Sequence, residues 1–470
     1  MEGNDIKQIK WESILTIPEF NNLLNIYSLK ELSLLCKSFR LKLVAKLFET
    51  IQLDGEKFAS YLKSGNYDLI CGYFSLRNYP VYYSKDGELR RKFNRKSYEG
   101  LAVGNKVKKI ELKLGKFKYH VKSFRLDCLD RAGYYLLPTL NIFPNLTTLN
   151  LTYCTISLDK FSELLSNLKK LNCLELYYIS FAVLPTQEPT LNNLKFPQKL
   201  EKLIIFGLYY IKIAEAQTAF DFLFENLEDE ILAEAILPPT HILSLKNFDY
   251  YGYDRNDNGL NRFLENNYQL EYLSLESNFI DSRKLELISK SSKLKKLTIR
   301  CEEQVHHSLN FSALTSITKL RFYNVTQEYL SNLEIICLSC TNLNNLKLIF
   351  DIAYEDVPQT ISIIIARIIS KSNYLSAFGL SLRGDYQTVV NFTELNNVTS
   401  VRIQASLDFL YYLDFANSER LSKVEFYWKD IGFDVEISYN ELKVKFDNYN
   451  NWRFIYGDGL IKGKRVINKN

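Results

Sequence analysis

A nine-residue pattern recurs along most of this 470-residue chain and restricts what the chain can fold into. In "LTTLNLTYC", which begins at Leu146, apolar residues stand at positions 1, 4 and 6 and a cysteine at position 9. Positions 4 and 6 are separated by a polar residue, as a half-buried strand requires, since successive side chains of a strand point to opposite faces. Similar copies begin at Leu171, Leu200, Leu270, Leu294, Ile317 and Leu343, with looser copies at Leu375, Val398 and Leu421 and further candidates at Val107 and Thr240.

The copies follow one another at intervals of roughly 20 to 30 residues, and amphipathic segments lie between them. Two of these segments, "SLDKFSELLSNLKK" and "QEYLSNLEIICLSC", place apolar residues on one stripe at helical spacing. The chain resembles the leucine-rich repeat family over residues 105–446. The resemblance implies an α/β fold, a leucine-rich repeat solenoid with a parallel sheet on its concave face and helices outside. The long interval at about 209–240 predicts an insertion with an extra helix.

A leucine-dense segment, "ILTIPEFNNLLNIYSLKELSLLCKSFRLKLVAKLFETIQL", precedes the repeats. The segment resembles an F-box. That family opens with a proline, continues with regularly spaced leucines and then has a basic residue close to an aromatic one. Here "IPE", the leucines and "CKSFR" match these three features. The resemblance implies a helical domain over residues 11–53 that docks on a Skp-type adaptor. It assigns adaptor binding to Ile17, Pro18, Leu24, Ile26, Leu29, Leu32, Leu35 and Phe39. So short a segment cannot bury its leucines alone, which favours a partner; the alternative is a cap on the first repeat.

An F-box followed by leucine-rich repeats is the layout of substrate receptors in Skp–cullin–F-box ubiquitin ligases. The resemblance therefore implies a non-catalytic receptor that binds the adaptor and, through it, a cullin, while the repeats hold a substrate protein. The alternative is a leucine-rich repeat scaffold that acts outside ubiquitination. On either interpretation residues 54–104 form a connector, and residues 447–470 form a C-terminal cap and basic tail.

The repeat register also predicts a substrate-binding surface. Positions 3, 5 and 7 of each copy face the concave side, and neighbouring strands stack them into columns. The residues predicted to bind substrate are Lys296, Arg300, Lys319, Arg321, Tyr323, Lys347 and Arg402. Like charges opposed on neighbouring strands are destabilising, so their retention indicates an acidic or phosphorylated partner. The alternative is that these cations only make an exposed sheet soluble. Copies before Leu270 carry a more neutral and aromatic surface.

Composition and motifs exclude several other classes. The net charge of +5, from 59 basic and 54 acidic residues, is too small to indicate nucleic-acid binding. Without a signal region or a long apolar run, we expect no membrane association and a location in the cytoplasm, the nucleus or both. The eight cysteines form no paired metal motif, and the lone CxxC of Cys337 and Cys340 is predicted to be helix core. We expect no cofactor, no metal and no enzyme activity, because no catalytic or phosphate-binding motif is present.

Overall fold

The computed structural model describes residues 26–35, 37–55, 100–183, 190–192, 194–212, 230–252, 258–301, 309–350, 357–383, 390–392, 395, 397–415, 418–428 and 438–466. The chain divides into two compact units, an N-terminal unit (Met1–Ser244) and a C-terminal unit (Leu245–Asn470).

The N-terminal unit contains parallel strands with helices between them. Its helices are α1 (Ile26–Leu35), α2 (Lys37–Leu47), α3 (Gly100–Gly115), α4 (Gly133–Leu136) and α5 (Leu158–Asn167), and a 3₁₀ helix spans Leu137–Ile142. Its strands are β1 (Thr50–Asp54), β2 (Ser123–Asp130), β3 (Thr148–Ser157), β4 (Cys173–Val183), β5 (Lys202–Lys212) and β6 (Glu230–Glu234). Strands β1 to β5 pair in parallel and in chain order, and β6 pairs with β5 in the antiparallel sense.

The repeat leucines form the strands because alternate side chains enter one core. Leu149, Leu174 and Leu203 are Cα partners on β3, β4 and β5, and all are fully buried. Helix α5 begins after Ser157, whose hydroxyl accepts a hydrogen bond from the backbone N–H of Lys160. It buries the apolar stripe predicted for it, namely Phe161, Leu164 and Leu165.

One sequence-based prediction is wrong in this unit. The copy from Val107 lies inside helix α3, and Leu112 is 74% exposed where a strand would bury it. The corresponding strand is β2, whose Phe124 and Leu126 pair with Leu149 and Leu151 of β3. Near the end of the insertion predicted at about 209–240, residues 230–234 form strand β6. The extra helix predicted for the insertion falls mainly on residues 213–229, which lie outside the described residues.

The C-terminal unit continues the same arrangement. Its strands are β7 (Asn247–Tyr251), β8 (Tyr272–Glu276), β9 (Lys296–Arg300), β10 (Lys319–Tyr323), β11 (Asn345–Phe350), β12 (Ala377–Leu382), β13 (Val390–Asn391), β14 (Ser400–Gln404), β15 (Leu413–Asp414), β16 (Lys423–Tyr427), β17 (Trp452–Gly457) and β18 (Leu460–Arg465). Its helices are α6 (Asn258–Asn266), α7 (Ser282–Lys290), α8 (Leu330–Ser339), α9 (Val357–Ile364), α10 (Leu407–Tyr411) and α11 (Tyr439–Asp447), and a π-helix spans Ile365–Ile369.

Strands β7 to β12, β14 and β16 form a parallel sheet, and β13 pairs separately with β15. Every copy from Leu270 to Leu421 contributes its predicted strand. The degenerate copy at Thr240 is misplaced, because strand β7 begins at Asn247 and Leu243 is 79% exposed. The predicted α/β leucine-rich repeat fold is confirmed in each unit by the parallel strands with helices between them.

An antiparallel hairpin ends the sheet of the C-terminal unit. Strand β18 pairs with β16 and β17. Helix α11 precedes the hairpin and carries a capping box, in which Ser438 and Glu441 satisfy each other's backbone N–H groups. Phe415 contacts the aromatic rings of Phe446 and Trp452, so these segments share a core. None of the helices in the described ranges is long and apolar enough to cross a lipid bilayer.

Candidate functional site

The structure brings five of the predicted substrate-binding cations together on three adjoining strands. Lys296 and Lys319 are Cα partners on β9 and β10, and Arg321 is the Cα partner of Lys347 on β11. Arg300 lies at the end of β9, opposite Tyr323. The residues between them, including Leu297 and Phe322, are buried on the other side of the sheet. We call the surface formed by Lys296, Arg300, Lys319, Arg321 and Lys347 the basic face.

Arg300 is held between two tyrosine rings. Its guanidinium carbon lies 4.5 Å from the ring centre of Tyr251 and 5.0 Å from that of Tyr323. The hydroxyls of Tyr251 and Ser274 form a hydrogen bond of 2.6 Å, which fixes the first ring. A guanidinium stacked in this way keeps its charge and loses freedom of movement. Tyr323 was predicted from the sequence, but Tyr251 was not. The copy placed at Thr240 starts five residues too early, so it does not align the residues of β7 with the equivalent positions of the other strands.

An acidic residue lies at one end of the basic face. The Lys296 ammonium lies 4.3 Å from the ring centre of Tyr272, and the Tyr272 hydroxyl donates a hydrogen bond of 2.9 Å to Asp249. Burial and the positive charges of Arg321 and Lys319 lower the pKa of Lys296, while Asp249 opposes that shift. Asp249 and Tyr272 were not predicted as site residues.

The middle of the basic face has no acidic partner within the described part of the chain. Arg321 donates to the Tyr323 hydroxyl at 3.2 Å, which is a neutral group. No described carboxylate forms an ion pair with Arg321 or with Lys347. Burial lowers the pKa of Lys347, and the positive charges of Arg321, Arg402 and Lys296 lower it further. An anion placed here would relieve that repulsion.

Arg402 differs from the other predicted cations because its charge is already paired. Its guanidinium forms an ion pair with Glu425, with 2.8 Å between Nε and Oε2, and Lys423 contacts the same carboxylate at 2.8 Å. The Tyr427 hydroxyl donates a third contact to Glu425. Lys423 and Arg402 hold the pKa of Glu425 at about 2 although burial opposes ionisation. Arg402 therefore serves an internal network more than the basic face.

The predicted adaptor-binding residues are only partly described. Ile17, Pro18 and Leu24 lie outside the described residues, and Ile26 and Phe39 lie in α1 and α2 with side chains that are not described. Leu29 was predicted to contact the adaptor, but its side chain is only 2% exposed and packs inside the chain. Leu32 is half-buried, and Leu35 is 70% exposed. Leu34 and Leu41 are 58% and 65% exposed and were not predicted.

The structure gives the lone CxxC a structural role. Cys337 and Cys340 are both buried, and burial raises the pKa of the Cys337 thiol well above its usual value. Cys337 lies with Leu333 and Ile336 on the buried side of helix α8, as predicted. Within the described ranges, no group of three histidine, cysteine or acidic side chains is placed to hold a metal ion.

Comparison with known proteins gives no family assignment. No family model and no curated protein matches the chain. Among solved structures it is similar to an internalin (inlF) from Listeria monocytogenes, with 17% identity, a TM-score of 0.30, and coverage of 62% of this chain and 78% of that one. It is also similar to a TLR13–ssRNA13 complex, with 16% identity, a TM-score of 0.34, and coverage of 82% of this chain and 52% of that one. Both TM-scores are below 0.5, so neither likeness bears on what this chain binds.

Proposed function

We propose that the chain is a non-catalytic repeat scaffold whose basic face binds a partner protein through acidic or phosphorylated side chains. The observation that carries this proposal is the direct opposition of Arg321 and Lys347 without a described carboxylate between them. Like charges on neighbouring strands are destabilising. Burial lowers the pKa of Lys347, and the positive charge of Arg321 lowers it further. A chain under selection for stability alone would neutralise this pair, as Glu425 neutralises Arg402.

The geometry favours a phosphate group or a pair of carboxylates as the bound chemistry. Arg300 and Arg321 offer planar guanidinium groups beside Tyr323. Lys347 is the Cα partner of Arg321 on β11, and Lys296 lies diagonally from Arg321 on β9. Arginine pairs with phosphate through two parallel hydrogen bonds, whereas lysine acts as a point charge. A solubilising surface would need neither the ring contacts of Arg300 nor the crowding of Arg321 and Lys347.

The test is binding of paired peptides to the full chain. An acidic serine-containing peptide library, with and without phosphate, is measured by fluorescence anisotropy against the wild type and against Arg321→Glu with Lys347→Glu. We expect the phosphorylated members to bind better, and the double variant to lose on the order of tenfold or more in affinity. Lys169→Glu with Lys199→Glu changes the net charge equally at exposed positions of the N-terminal unit and is the matched control. An equal loss of affinity in both double variants would mean that binding depends on the net charge of the chain and not on the basic face.

A second function concerns helices α1 and α2, which present exposed leucines. Leu34, Leu35 and Leu41 are more than half exposed on short helices that precede the sheet. Exposed apolar side chains on one short helical segment favour a docking surface for another protein. We propose that these helices act as an F-box and bind a Skp-type adaptor, so that the chain is a substrate receptor of a cullin-based ubiquitin ligase in the cytoplasm or nucleus. The alternative is a repeat scaffold that acts outside ubiquitination.

Co-purification with a Skp-type adaptor tests this second function. We expect a stoichiometric complex with the full chain and its loss in Leu34→Asp with Leu35→Asp. Leu112→Asp with Leu243→Asp replaces two leucines elsewhere that are more than half exposed and should leave the complex intact. Adaptor binding that also recruits a cullin supports the ligase role, and adaptor binding without a cullin supports the scaffold. A folded chain that binds no adaptor would remove the F-box proposal and leave the basic face unaffected.

A further inference from the structure

Strand β12 carries a glycine at the level of the sheet where Arg321 and Lys347 lie. Lys347 on β11 is the Cα partner of Gly379, and Gly379 is in turn the Cα partner of Arg402 on β14. The other strands of the parallel sheet from β8 to β16 carry a polar side chain at this level. In sheet order these residues are Ser274, Thr298, Arg321, Lys347, Arg402 and Glu425. On these strands Gly379 is therefore a gap in a row of polar side chains.

The methylene chain of Lys347 occupies that gap. A methyl group at Gly379 would lie 3.1 Å from Cγ of Lys347, 3.4 Å from its Cβ and 3.6 Å from its Cδ, and these would be its three nearest contacts outside the neighbouring residues of the chain. The backbone of Gly379 does not lie in the left-handed region, so its conformation does not require glycine. A glycine inside a strand weakens the strand and often marks a place where another group approaches closely. Here that group is the side chain of Lys347.

The contact with Gly379 directs Lys347 away from Arg321. Strands β10 and β12 lie on opposite sides of β11, so a side chain that crosses Gly379 leans to the side opposite Arg321. Arg402 leaves this space to Lys347, because its guanidinium pairs with Glu425 on the far side of β14. Arg321 donates to the hydroxyl of Tyr323 on its own strand. The two neighbouring cations thus lean in different directions.

The charges around Lys347 favour an anion that carries more than one negative charge. Burial lowers the pKa of Lys347, and the positive charges of Arg321, Arg402 and Lys296 lower it further. A phosphomonoester carries a charge of about −1.5 to −2 at neutral pH and three acceptor oxygens, whereas a carboxylate carries one charge and two oxygens. One phosphate therefore offsets more of this repulsion than one carboxylate does.

We propose that Gly379 is a positioning residue that holds the Lys347 ammonium apart from Arg321, so that the two cations bind one phosphate group in preference to one carboxylate. This inference rests on the proposed function of the basic face and narrows its ligand to a phosphorylated side chain. Arginine and lysine then contribute differently, with a planar fork on one side of the phosphate and a point charge on the other. A side chain at Gly379 would displace Lys347 and weaken the phosphate contact without changing the net charge.

A double-mutant cycle in the full chain tests this role. Gly379→Ala and Lys347→Gln are made singly and together. Fluorescence anisotropy then compares an acidic peptide that contains one phosphoserine with the same peptide that contains aspartate instead. We expect Gly379→Ala to weaken binding of the phosphopeptide about fivefold and of the aspartate peptide less than about twofold. In the Lys347→Gln background Gly379→Ala should have no further effect, because the glycine acts through that lysine. Gly457→Ala, whose nearest contact would be an ordinary 3.6 Å, is the matched control.

The melting temperature separates positioning of Lys347 from a structural role of the glycine. Glycine weakens a strand interior relative to alanine, and the atoms that the new methyl group meets belong to a flexible side chain. Gly379→Ala should therefore keep or raise the melting temperature. A lower melting temperature, with weaker binding in both backgrounds, would mean that the glycine supports the sheet itself and would overturn the proposal.

The remaining outcomes distinguish this inference from the proposed function. Phosphopeptide binding that is lost in Arg321→Glu with Lys347→Glu but unchanged in Gly379→Ala would keep the basic face and overturn the role of Gly379. Equal affinity of the wild type for the two peptides would overturn the preference for phosphate. If the wild type bound neither peptide, the proposed function would fail and this inference with it.

Discussion

Arg321 and Lys347 are Cα partners on neighbouring strands, and no described carboxylate forms an ion pair with either of them. Two strands further along the sheet, the arginine at the equivalent position, Arg402, is paired with Glu425. The same sheet therefore neutralises one arginine internally and leaves another beside a second cation. This difference is the basis of the proposed anion-binding role of the basic face.

Replacing Lys347 with glutamine should stabilise the chain and weaken partner binding. Removal of the like-charge contact with Arg321 should raise the free energy of unfolding by about 0.5 kcal/mol at neutral pH. The folded pKa of Lys347 is lowered, so its charged form is the destabilised one. The gain should therefore be full at low and neutral pH and disappear as the pH rises towards about 10.4, the unfolded pKa of lysine. Urea unfolding at several pH values measures this gain in stability. A loss of stability at neutral pH would contradict the repulsion between Arg321 and Lys347.

Replacing Glu425 with glutamine should destabilise the chain in a pH-dependent manner. The folded pKa of Glu425 is about 2, so the stabilisation is present above its unfolded value and is lost as the pH falls through the folded pKa. Arg402 and Lys423 are more than half exposed, which screens the pair, so we expect a loss of about 1 to 2 kcal/mol at neutral pH. Denaturation of both forms between about pH 6 and pH 2 should bring their stabilities together. A constant difference would assign the effect to packing.

The contact between Arg300 and Tyr251 should give a measurable coupling energy. Tyr251→Leu, Arg300→Gln and the double variant form a cycle that isolates the interaction of cation and ring. We expect a coupling of about 0.5 to 1 kcal/mol from urea unfolding, because the pair is partly withdrawn from water. Tyr251→Phe keeps the ring and removes the hydroxyl that bonds to Ser274, so it separates the two contributions. A coupling near zero would mean that Arg300 is not held by its neighbours.

Gly463 should not tolerate a side chain. A methyl group there would lie 2.5 Å from both Phe454 Cε1 and Val424 Cγ2, at the junction of β16, β17 and β18. Gly463→Ala should lower the free energy of unfolding by about 2 to 3 kcal/mol through overpacking. Gly457→Ala is the control on the same hairpin, since its nearest contact would be an ordinary 3.6 Å. Equal melting temperatures for the two variants would show that the hairpin repacks freely.

The sequence predicts those residues of the candidate site whose positions depend only on how the strands align. Lys296, Lys319, Arg321 and Lys347 follow from counting along successive copies, because parallel strands align equal positions into columns. Tyr251 and Asp249 could have been found in the same way if "LKNFDYYGY" had been aligned from Leu245. The pairing of Arg402 could not be predicted, because it depends on which rotamers neighbouring side chains adopt after the strands have aligned.

The sequence by itself determined the repeating strand-and-helix arrangement, since the spacing of its leucines allows one buried face for strands and another for helices such as α5. Only the tertiary structure decided which segment forms the strand before β3. "VKKIELKLG" fits both the repeat pattern and one face of a helix, and it became helix α3, with Leu112 exposed. The first repeat strand of the copy series is instead β2, because Phe124 and Leu126 align with Leu149 and Leu151 in the shared core. Local spacing leaves two such solutions open, and burial against neighbouring strands selects one of them.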